Sequence, residues 1–153
     1  MFHIVLVEPE IPQNTGNISR TCAVTGTALH LVKPLGFSLD EKHLKRAGLD
    51  YWKDLTLFVH DSFEEIEKAY PEARFFLLTT HGVANYAQAQ FRDGDFLVFG
   101  KETAGLPQAL RERRAGDCYR VPMKPQQRSL NLSNTAALVL YEALRQTGFP
   151  GLV

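Results

Sequence analysis

Short apolar runs alternate with helix-patterned segments along the whole chain. The run from His3 to Glu8 is apolar without interruption, the mark of a strand buried on both faces. Runs of the same kind recur at Ala28–Lys33, Leu55–His60, Arg74–Thr79, Asp95–Gly100 and Cys118–Met123. Between them the spacing turns helical. Asn14 or Thr15 can cap a helix passing through Ile18, Cys22 and Val24 to Gly26. Ser38 with Glu41, and Ser62 with Glu65, each spell a capping box. The first opens a short basic helix through Lys42, Lys45 and Arg46, and the second a helix to about Tyr70. Pro107 suits the first turn of a helix carrying Leu110 and Arg111. Ser129, Asn131, Ser133 and Asn134 can each cap a last helix, apolar at Ala137, Leu138, Leu140, Tyr141 and Leu144 and stopped at Gly148. Strand–helix alternation of this kind predicts an α/β domain with a mostly parallel sheet flanked by helices, a single domain over 1–153.

The bulk numbers narrow the class. The chain has 153 residues, 44% hydrophobic and 22% charged, as in a globular protein with its own core. No apolar run is long enough to span a bilayer, so no membrane partner is expected. The opening Met1-Phe-His-Ile-Val-Leu reads as a strand and not a signal peptide, and a cytoplasmic location is expected. Seventeen basic residues balance seventeen acidic ones, so a nucleic-acid partner needs a local basic patch. Cys22 and Cys118 form no C-x-x-C, and the five histidines show no metal-ligand spacing. No metal is expected.

Ligands of such sheets sit outside the strands' carboxyl ends, and three polar loops fall there. Asn14-Thr-Gly-Asn-Ile-Ser-Arg20 offers a helix start, a glycine and an arginine; alone, it equally suits a capped helix with an exposed arginine. Gly100-Lys-Glu-Thr-Ala-Gly-Leu-Pro107 is neither a Walker loop nor a dinucleotide fingerprint, yet it holds a carboxylate between two glycines. Arg120 to Asn134 mixes polar donors with Val121, Met123 and Leu130, which suits a nucleoside-like ligand better than a bare phosphate. Lys42–Lys53 adds basic side chains beside a Tyr-Trp pair, a mix that fits RNA contact or a solvated helix face.

In this order, Asn14-x-Gly16-x-x-x-Arg20, Gly100-x-Glu102-x-x-Gly105-Leu106 and Ser129-Leu-Asn-Leu-Ser133-Asn134 resemble the three motifs of the SPOUT (TrmH-like) superfamily of RNA 2′-O-methyltransferases. Glu8-Pro-Glu-Ile-Pro-Gln-Asn14, Arg46-Ala-Gly-Leu-Asp-Tyr51 and Pro150-Gly151 are similar to its minimal, wobble-position tRNA (cytidine/uridine) branch. The resemblance implies a C-terminal deep trefoil knot, a homodimer and S-adenosyl-L-methionine as methyl donor. It implies a cofactor pocket of Leu78, Thr79, Gly100, Glu102, Gly105, Val121, Met123, Ser129, Leu130 and Asn131. The implied substrate is the wobble ribose in the anticodon stem-loop of tRNA leucine isoacceptors, with cytidine or a modified uridine as base. Asn14, Arg46, Tyr51 and Arg128 are the expected RNA contacts, Tyr141 an expected interface residue, and Arg20 the implied catalytic residue. A guanidinium with a pKa above about 12 hardly gives up its proton. Arg20 is therefore expected to clamp phosphate and stabilise a forming alkoxide. The rival readings are methylation of another RNA by the same chemistry and a knotted RNA-binding module without turnover.

Overall fold

A computed structural model describes residues 1–40 and 52–153. Among the described residues, seven strands form one sheet: β1 (His3–Val7), β2 (Ala28–Val32), β3 (Leu57–His60), β4 (Phe75–Leu78), β5 (Ala84–Asn85), β6 (Phe96–Phe99) and β7 (Cys118–Arg120). Every pairing is parallel, in the order β3-β2-β1-β6-β4-β7-β5. The helices among the described residues are α1 (Pro12–Thr25), α2 (Phe63–Ala69), α3 (Gln108–Arg113) and α4 (Leu132–Gln146). The expected α/β class is what the chain forms.

Strand residues alternate between two cores, which is why the central strands are apolar throughout. Ile4, Leu6, Leu29, Leu31, Leu97 and Phe99 pack with Ile18 and Cys22 of α1 and Val139 and Leu140 of α4. Val5, Val7, Val32, Leu77 and Val98 pack with Phe63 and Ile66 of α2 and Leu110 of α3. The second core has a polar seam. His3 Nδ1 meets His30 Nε2 at 3.0 Å, and His30 Nδ1 meets His60 Nε2 at 3.0 Å, a diagonal across β1, β2 and β3. His3 stacks on Phe96 with ring centroids 4.0 Å apart.

Several boundaries differ from the sequence pattern. β1 stops at Val7 because Glu8 takes a left-handed φ of 56°. β3 begins at Leu57, not Leu55, and β7 ends at Arg120, two residues before Pro122, which has no N–H to give a ladder. β5 was not expected at all. α1 begins at Pro12, ahead of the expected Asn14 or Thr15 cap, with no side-chain cap at Ile11. Ser62 does cap α2, accepting from Glu65 N at 3.3 Å. The expected basic helix beyond Glu41, with Arg46 and Tyr51, lies outside the described residues.

Candidate functional site

A cavity of about 770 Å³ opens at the carboxyl ends of β6, β4 and β7. Each strand delivers residues into its wall. β4 runs out into Leu78 and Thr79; the loop after β6 supplies Gly100, Glu102 and Gly105; the segment after β7 supplies Val121 and Met123. The approach to α4 closes it with Ser129, Leu130 and Asn131. All the residues expected at a cofactor are thus brought together around one space. Its size lies within the roughly 300–1,000 Å³ of small-molecule sites.

The loop after β6 owes its shape to backbone contact. Lys101 and Gly105 form an antiparallel bridge, with Gly105 N donating to Lys101 O at 2.9 Å and Gly105 at φ +69°. A Cβ on Gly100 would lie 2.1 Å from Gly105 C and from Leu106 N, so only glycine lets the loop fold back here.

Glu102 is both wall and fastener. Its Oε1 accepts from Glu10 N at 2.9 Å, and its Oε2 from Ile11 N at 2.6 Å and Asn14 Nδ2 at 3.3 Å. A carboxylate from a distant loop thus sits at the α1 N-terminus, where backbone N–H groups and the helix dipole favour negative charge. Glu10 returns the contact: its Oε1 accepts from Thr103 N at 3.0 Å and Thr103 Oγ1 at 2.7 Å. Those hydrogen bonds hold the Glu10 carboxyl below its usual pKa range, with nearby Lys101 adding to the effect.

The path continues into the third loop. Asn14 Oδ1 accepts from Asn131 Nδ2 at 3.1 Å. Asn131 caps α4, its Oδ1 accepting from Asn134 N at 3.1 Å and Ser133 Oγ at 2.6 Å. Glu102, Asn14 and Asn131 therefore tie the three polar loops into one hydrogen-bonded path. Asn14, expected at RNA, is 7% exposed, with both ends of its amide engaged in that path. Of the other expected RNA contacts, Arg128 is exposed and lines the cavity.

Arg20 lies on the exposed side of α1 and is not among the cavity-lining residues. Large apolar side chains stand out on α1 and α4: Val24 is 53%, Leu138 41% and Tyr141 46% exposed. Sequence reasoning passed over His81, Lys101 and Arg111 as cavity residues, although all three line it. Arg111 had one signal, its place on the helix that follows the Gly100–Pro107 loop. Among the described residues no group of three or more His, Cys, Asp or Glu side chains is arranged to hold a metal ion, and no helix is long and apolar enough to cross a membrane.

A parallel sheet with a cavity of small-molecule size at its strands' carboxyl ends, walled by three linked loops, defines an α/β domain of the ligand-binding kind. The chain belongs to the SpoU rRNA Methylase family, whose model matches residues 1–141. It is 55% identical to a tRNA (cytidine(34)-2′-O)-methyltransferase of Methylovorus glucosotrophus, over 100% of both chains. It is 47% identical, with a TM-score of 0.91 and 97% of each chain covered, to a solved structure described as "Structural insights into the 2-OH methylation of C/U34 on tRNA". The SpoU methyltransferase AviRb of Streptomyces viridochromogenes, solved in complex with the cofactor AdoMet, superposes with a TM-score of 0.84 at 25% identity, covering 95% of this chain and 57% of that one.

Proposed function

We propose that this chain transfers the methyl group of S-adenosyl-L-methionine to the ribose 2′-hydroxyl of the wobble nucleotide, position 34, of tRNA. The carrying observation is the hydrogen-bonded path Glu102–Asn14–Asn131, which joins the three family loops around one cavity. The full-length likeness to tRNA (cytidine(34)-2′-O)-methyltransferases supports position 34 as the target.

The cavity suits the cofactor. Leu78, Val121 and Leu130 offer apolar wall, and the strand ends offer backbone donors and acceptors, the mixture a nucleoside needs. Bound there, the cofactor supplies an electrophilic methyl on a sulfonium whose departure leaves a neutral thioether. The protein's own work is to hold the ribose hydroxyl in line with that methyl and to ease the loss of its proton. Arg20 clamps a substrate phosphate and stabilises the forming alkoxide, as a permanently charged guanidinium can. Ser129 orients substrate or cofactor at the mouth, and Arg128, Arg46 and Tyr51 contact the RNA. Asn14 acts as a positioning residue, coupling the helix that carries Arg20 to the cofactor loops.

The reading includes a homodimer acting in the cytoplasm as a single domain. Arg20 stands outside its own cavity lining, and Val24, Leu138 and Tyr141 are exposed on α1 and α4; both facts suit a second copy on this face. It also includes the C-terminal trefoil knot. In support, β7 lies between β4 and β5, and Val121, Met123 and 128–131 share one cavity wall with 79–81 and 100–106 before α4 packs against α1 and β6.

The test is mass-spectrometric mapping of tRNA leucine transcripts incubated with the protein and S-adenosyl-L-methionine. One added methyl on the ribose of nucleotide 34, absent with Arg20→Ala, is the expected result. Methylation of a base, or of a ribose elsewhere, would overturn the assignment.

A further inference from the structure

We infer that Arg111 receives the carboxylate at the amino-acid end of the cofactor, a contact that rests on reading the cavity as the S-adenosyl-L-methionine site. That end carries a carboxylate, and a carboxylate taken into a partly closed cavity needs a cation or several donors. Among the described residues, four side chains that are or can become cationic line the cavity: His81, Lys101, Arg111 and Arg128. His81 and Arg128 are exposed to solvent. Lys101 stands close enough to Glu10 to favour that carboxylate.

Arg111 differs from all three. It is half-buried on α3, one residue after the buried Leu110 that fixes the helix against the sheet. Its Nε donates to Leu106 O at 3.3 Å, which ties the guanidinium to the loop that forms the cavity wall. Among the described residues it meets no carboxylate. The other partly buried arginines each have one: Arg74 pairs with Asp95, and Arg114 with Glu67 and Asp117. Glu102, which also lines the cavity, has both oxygens engaged at the α1 N-terminus. A guanidinium removed in part from water, lining a cofactor-sized space and lacking an acidic partner among the described residues calls for an anionic ligand. With Nε anchored, its two terminal nitrogens remain as the fork that matches a carboxylate.

The experiment is calorimetric titration of the full chain with S-adenosyl-L-methionine and with decarboxylated S-adenosylmethionine, which keeps the nucleoside, the sulfonium and the amine. The wild type should prefer the carboxylate-bearing ligand by roughly tenfold to a hundredfold, the worth of a charge-assisted hydrogen bond or two. Arg111→Ala should erase that preference while leaving the affinity for the decarboxylated ligand unchanged, and Arg111→Lys should restore part of it. Equal weakening of both ligands, or an unchanged preference in Arg111→Ala, would overturn the role of Arg111. A wild type that binds neither ligand would instead overturn the reading of the cavity itself.

Discussion

Single side chains hold this site together, and the most consequential is a carboxylate. Glu102 accepts two backbone N–H groups just ahead of α1 and one side-chain amide from within it. Glu102→Gln keeps the shape but turns one acceptor into a donor facing those N–H groups. It should cost about 1–3 kcal/mol of stability in urea denaturation and weaken cofactor binding as the loops part. An unchanged midpoint and affinity would mean the contacts are incidental. A second residue-scale prediction concerns the histidine diagonal. Burial lowers His30 to about 3, with His3 and His60 adding to the shift. Burial, then the N-terminal ammonium, lowers His3 to about 4 against the opposing pull of Asp93. Burial also lowers His60, against Glu65. Groups whose folded pKa lies below the unfolded value of about 6.5 take up protons on unfolding as pH falls. Their stabilisation is fully present above about pH 6.5 and declines from there toward about pH 3, the folded-state value of His30. The urea midpoint should therefore drop between pH 7.5 and pH 5, and His30→Phe should flatten that slope. An equal slope in the variant would place the acid sensitivity elsewhere.

Elements show where the amino-acid pattern is informative and where it fails. The apolar runs marked six strands, and those of β1, β2, β4 and β6 need no alternation because both faces are covered. β3, apolar but half-exposed at Phe58 and Val59, shows that a continuous run does not guarantee burial. β5 escaped because two residues, Ala84–Asn85, carry no period to detect. The start of α1 was misplaced for another reason. Its end groups are met by Glu102, about ninety residues away along the chain, so no local cap signals the true beginning. The cavity residues were legible as three polar loops after strands, and the resemblance placed them in one pocket, but the hydrogen-bonded path through Asn14 that fastens them was not, since it is a tertiary fact. Arg111 was missed because its meaning depends on the acidic partner it lacks. The glycine of the second loop gives an element-scale test. Gly100→Ala places a Cβ 2.1 Å from Gly105 C, which has nowhere flexible to move. Cofactor affinity should fall at least tenfold by calorimetry while the circular dichroism spectrum stays that of the wild type. Undiminished binding would mean the loop's fold-back does not shape the cavity.

At the scale of the whole molecule, one sheet carries two cores and a site at its carboxyl edge, while the helix bearing Arg20 turns an exposed face outward. The proposed assembly of two chains on the α1–α4 face would cover that surface. Tyr141→Asp places a charge on this face and should convert a dimer to a monomer in sedimentation equilibrium. Methyl transfer should be lost, while each monomer still binds cofactor. A fully active monomer would remove the second copy from the mechanism. The claim on which the rest depends is that three loops far apart in sequence close around one cofactor. The most direct measurement is a crystal structure of the chain grown with S-adenosylhomocysteine. The expected result is one molecule per chain touching Leu78, Gly100, Val121 and Leu130. A molecule seated anywhere else on the chain would contradict it.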